Sequence, residues 1–76
     1  MAKTWTAEAL KKLRSSLGIT QRQLAILLDV STGSVRNWEQ KIGQPTGPAA
    51  ILLDQLLDNP GPLLKRLDQS NLAATA

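Results

Sequence analysis

Between Ser31 and Gln40 the chain sets Ser31, Thr32, Ser34, Arg36, Asn37 and Gln40 around only two large apolar residues, Val35 and Trp38. Such side chains match the edges of base pairs. Arginine pairs in two places with guanine and asparagine with adenine, while serine and threonine reach either a base or a phosphate. Gly33, in the same stretch, would let a backbone come close to a ligand. Helices opening at Thr20 and Ser31 would also aim free backbone N–H groups outward, where phosphates are held. The same residues suit a solvated face, and a plain helical hairpin in a small bundle would carry them too. Other chemistry is scarce. The 76 residues include no Cys and no His. That removes disulfides, thiolate metal sites and the commonest general base. There is no Gly-rich phosphate loop either, so no enzyme, metal or cofactor is expected.

The formal charge of +3 is unevenly spread. Before Ile42, Lys3, Lys11, Lys12, Arg14, Arg22, Arg36 and Lys41 face Glu8, Asp29 and Glu39, a balance of +4. From Ile42 onward Lys65 and Arg66 face Asp54, Asp58 and Asp68, a balance of −1. A basic half suits a polyanion, or simply a soluble surface. The longest apolar runs, Ala49 to Leu53 and Leu24 to Leu28, are too short to span a bilayer. No apolar signal region follows Met1, so a cytoplasmic protein is expected, and the Met1 start suits a complete chain.

The residues that could do this chemistry need helices to hold them. Thr6 suits an N-cap, with Glu8 in the first turn and Leu10, Leu13 and Leu17 at helical spacing before Gly18. Thr20 and Gln23 have the capping-box spacing, and Leu24, Ala25, Leu27 and Leu28 form an inward stripe. Ser31 caps again, and Val35 and Trp38 mark a narrow buried face. Lys41 to Gly47 is a loop. Pro48 suits a first helical position, with Gly47 or Thr46 as cap, and Ala49, Leu52, Leu53, Leu56 and Leu57 give the next stripe. Asn59-Pro60-Gly61-Pro62 breaks that helix before a short last one. Strand signals are lacking. The expected fold is all-α, one domain over residues 1–68, with helices at roughly 7–16, 21–28, 32–40, 48–58 and 61–68 and a flexible tail over 69–76. Trp5 either covers the core or meets a partner.

The second and third helices, joined by Asp29-Val30-Ser31, have helix-turn-helix geometry. Ala25 is small where the helices cross, Val30 anchors the turn, and Asp29 tolerates a left-handed backbone better than most residues. The segment "LRSSLGITQRQLAILLDVSTGSVRNWEQ", with Pro45 and "GPAAILLDQLL" after it, resembles the helix-turn-helix domain of phage-repressor and Xre-like transcriptional regulators. Within that family it is most similar to the DNA-binding domains of antitoxins of the MqsA and HigA kind and to their stand-alone regulator relatives. The resemblance covers about residues 8–68 and implies a five-helix, lambda-repressor-like helix-turn-helix bundle that binds double-stranded DNA. It implies a phosphate contact for Gln21, and contacts to bases or adjacent phosphates for Thr32, Gly33, Arg36 and Asn37. It also implies a buried bridge between Arg14 and Glu39, although Arg14 could instead touch phosphate. Ser34 joins the groove-facing set, and Arg22, Ser31, Gln40 and Lys41 the phosphate set. Three residues depart from the family pattern. Asp29 and Lys41 stand where glycine is usual, and Gly33 stands where relatives often carry Gln or Arg.

One reading helix contacts few bases, so paired half-sites and a homodimer are expected. Ile51, Leu63, Leu64 and Leu67, with Leu72, are the candidate interface. The expected role is a repressor on a palindromic operator, in a bacterium or phage. The alternative is an antitoxin that neutralises a toxin partner and represses its own operon. The MqsA-like relatives carry a zinc-binding domain for that purpose, and this chain shows no equivalent.

Overall fold

The computed structural model describes residues 5–45 and 47–75, with side chains as far as Leu67. Five helices follow in order: α1 (Ala7–Leu17), α2 (Gln21–Leu28), α3 (Thr32–Glu39), α4 (Pro48–Asp58) and α5 (Pro60–Thr75). No strand occurs among the described residues, and the fold is all-α.

Local chemistry starts the first three helices. The Thr6 hydroxyl accepts from the Ala9 N–H at 3.1 Å. Thr20 accepts from the Gln23 N–H at 3.1 Å, and the Gln23 side chain accepts in return from the Thr20 N–H at 2.8 Å. Ser31 accepts from the Ser34 N–H at 3.1 Å. Each cap satisfies an N–H that the helix itself leaves unpaired. Gly47 precedes α4 and Pro48 opens it, while Thr46 lies outside the described residues.

The same three helices also stop alike. Gly18, Asp29 and Lys41 have φ of 67°, 57° and 67°. Each donates to a carbonyl three residues back: Ser15, Ile26 and Trp38, all at 3.2 Å. The next residue donates five back, Ile19 to Arg14 at 3.1 Å, Val30 to Ala25 at 3.0 Å and Ile42 to Asn37 at 2.8 Å. This pair of bonds is the Schellman stop, which commonly carries an apolar residue in its last position. Ile19 is buried and Val30 packs half-buried on the core, but Ile42 is 57% exposed.

The core is almost wholly aliphatic. Leu10, Leu24, Leu27, Val35, Leu53 and Leu56 are enclosed completely. α2 lies at its centre, touching α3, α4 and α5, while α1 packs on α3. Trp5 closes one side, buried, with its Nε1–H donating to Asp54 Oδ1 at 2.9 Å. The bond gives the indole its polar partner and ties the chain start to α4.

Three expectations need correction. α5 runs from Pro60 to Thr75, past the expected end at 68. Prolines in the first turn forfeit no helical bond, and no Gly or Pro follows Pro62 to stop the helix. Leu63 and Leu67, assigned to a dimer interface, are buried in this chain's own core because α5 lies across α2 and α4. Leu64 is half-buried against the same core, and the Leu72 side chain lies outside the described residues. Leu57, placed on the inward stripe of α4, is half exposed, leaving Ala49, Leu53 and Leu56 as the buried set.

Candidate nucleic-acid interface

α3 is seated by few contacts. Val35 is fully buried, Glu39 is 4% exposed, and Trp38 is half-buried on the core. The rest of the helix faces outward. Gly33, Arg36, Asn37 and Gln40 are exposed, and Thr32 and Ser34 are half-buried. Ser31 and Ser34 share a hydroxyl contact of 3.0 Å, so both also serve the helix start. Nothing in the fold requires glycine at position 33. A Cβ there would meet only Ser31 Oγ at 3.8 Å, an ordinary contact.

Glu39 fixes the far end of the helix. Arg14 Nε donates to Oε2 at 2.8 Å and Arg14 Nη2 to Oε1 at 3.0 Å, a two-point pair between α1 and α3. Arg14 Nη1 also donates to the Ile19 carbonyl at 3.2 Å. Gln21 Nε2 donates to Glu39 Oε1 at 3.0 Å, which brings in α2. Burial pushes the Glu39 carboxyl up, but the bonds from Arg14 and Gln21 and the Arg14 charge outweigh it, holding the group below its ordinary value of 4.5. Arg14 is raised in turn, chiefly by its bond to Glu39.

The candidate phosphate residues border this face. Gln21 is half-buried and spends one N–H on Glu39, keeping a second N–H and its carbonyl. Arg22, Ser31, Gln40 and Lys41 are exposed. Lys41 Nζ lies 3.4 Å from Glu8 Oε1 in an exposed pair. Glu8 lies below its ordinary value, first through its own backbone N–H and then through the bond and charge of Lys41. Asp29 is exposed at the left-handed turn position.

The Gln21–Glu39 and Trp5–Asp54 bonds were not foreseen from sequence. Their partners stand 18 and 49 positions apart, so no local spacing announces them. Among the described residues no cluster of His, Cys, Asp or Glu could hold a metal. No helix among them is long and apolar enough to cross a membrane.

A tightly anchored α3 with a bare polar face, crossing a short α2 at a three-residue turn, is the geometry of a DNA-reading unit. Comparison with known families agrees: residues 10–64 match the model of a helix-turn-helix family. The chain belongs to that family, the Xre and lambda-repressor-like helix-turn-helix regulators, and is a DNA-binding regulator of transcription. No curated protein matches it.

Proposed function

We propose that the protein is a repressor that occupies a palindromic operator as a homodimer in the cytoplasm. The observation that carries this reading is the outward face of α3, where Arg36 and Asn37 stand exposed on a helix locked by Val35 and Glu39. Thr32, Gly33, Ser34, Arg36 and Asn37 face the major groove, and Gln21, Arg22, Ser31, Gln40 and Lys41 hold phosphates on either side. Base contacts supply the sequence preference and phosphate contacts fix the register. A dimer uses Ile51, which is 60% exposed on α4.

Gel shifts on a sequence selected from random DNA test this directly. Arg36→Ala and Asn37→Ala should each weaken specific binding by about fivefold or more, since a two-point base contact contributes about 1–3 kcal/mol. Both variants should melt with wild type, because neither side chain is buried. Unchanged affinity in both would overturn α3 as reader. Gln21→Ala should weaken binding evenly across sequences.

A second reading, an antitoxin, draws on the exposed Ile51 and Leu57 of α4 as a protein-binding surface. Co-purification of a small toxin encoded beside the gene, lost in Leu57→Lys but kept in Arg36→Ala, would favour it.

A further inference from the structure

We propose that Ile42 is a reading residue, one that packs against a thymine methyl group in the major groove beside the base pair contacted by Asn37. The inference rests on α3 lying in the major groove.

The argument begins with the three matching helix stops. Each places a β-branched aliphatic residue after a left-handed one: Ile19, Val30 and Ile42. Two of these pack on the core, and Ile42 does not. In such a stop the last residue lies over the residue whose carbonyl it bonds, and the two commonly make an apolar contact. For Val30 that residue is Ala25, which is buried. For Ile42 it is Asn37, polar and exposed on the reading face. The 2.8 Å bond from the Ile42 N–H to the Asn37 carbonyl holds the two residues together. The stop therefore sets one exposed aliphatic residue at the end of α3, next to Asn37.

The major-groove edge offers one apolar group, the C5 methyl of thymine. Asn37 suits adenine, and a thymine in the neighbouring pair presents that methyl in the same groove. A β-branched side chain has few rotamers to lose on burial, so an isoleucine held by a short backbone bond meets a methyl at low entropic cost.

The test replaces each thymine of the selected operator, one at a time, with uracil, which lacks only that methyl. Affinities of wild type and Ile42→Ala follow from fluorescence anisotropy. Burying a methyl group corresponds to about fourfold in affinity. Wild type should lose about fourfold at one thymine per half-site, next to the adenine whose replacement matters least in Asn37→Ala. Ile42→Ala should bind the thymine operator about fourfold less tightly and be indifferent to uracil at that position. Its melting should match wild type, because the side chain lies largely outside the core. Equal uracil sensitivity in both proteins, or an Ile42→Ala loss that is the same with and without the methyl, would overturn the proposal. If wild type selects no sequence at all, the operator reading falls first. If it selects one but this coupling is missing, only the role of Ile42 falls.

Discussion

Glu39 receives three side-chain N–H donors from two helices while almost wholly buried. A buried charge is tolerable only with such partners, and removing one leaves the other stranded. Arg14→Ala or Glu39→Ala should lower the unfolding free energy by about 3 kcal/mol, read from urea denaturation, whereas Arg14→Met with Glu39→Met should recover most of it. The carboxyl is held below its unfolded value. Its stabilisation is therefore complete above the ordinary 4.5 and is lost as pH falls through the folded value. The stability gap between wild type and Glu39→Gln should shrink on acidification, as urea titrations from neutral to acid pH would show. The Arg14–Glu39 pairing is legible through the family pattern, whereas the Gln21 share of it rests on a contact 18 positions apart that no local spacing announces.

At the scale of the element, helix starts are legible because a cap and its acceptor lie within three residues. Thr6, Thr20 and Ser31 announce their helices in the sequence alone. Helix ends are less so. Gly18 is an obvious stop, but Asp29 and Lys41 adopt the same backbone without being glycine. Asn59-Pro60-Gly61-Pro62 does break α4 after Asp58, and Pro60 also opens α5. The left-handed region disfavours a lysine side chain. Lys41→Gly should therefore stabilise the fold by about 0.5 kcal/mol in thermal melts. It should also weaken DNA binding and reduce the salt dependence by about one counterion. A variant that is more stable and binds with an unchanged salt slope would remove Lys41 from the phosphate set.

Across the whole molecule, the fold class followed from five amphipathic patterns, but the division of leucines between core and surface did not. Leu63 and Leu67 repeat at helical spacing, as an interface or a core would both require. Only the path of α5 across α2 and α4 decides for the core. Leu57 shows the opposite error, an on-pattern leucine left half exposed. The distinction has a measurable form. Leu63→Lys should abolish the cooperative melt, since it forces an unpaired charge into the core. Ile51→Lys should melt near wild type yet sediment as a monomer if α4 joins the dimer. A dimeric Ile51→Lys would place the contact elsewhere.

The two tryptophans occupy opposite kinds of ground. Trp5 is sealed into the bundle with its indole N–H on Asp54, and Trp38 sits half-buried on α3 itself. With no tyrosine or phenylalanine in the chain, the protein's ultraviolet emission comes from these two places alone. Trp38→Leu leaves a native optical gauge of folding, and Trp5→Leu leaves one within α3, so unfolding and the proposed DNA engagement can be watched separately without attaching any dye.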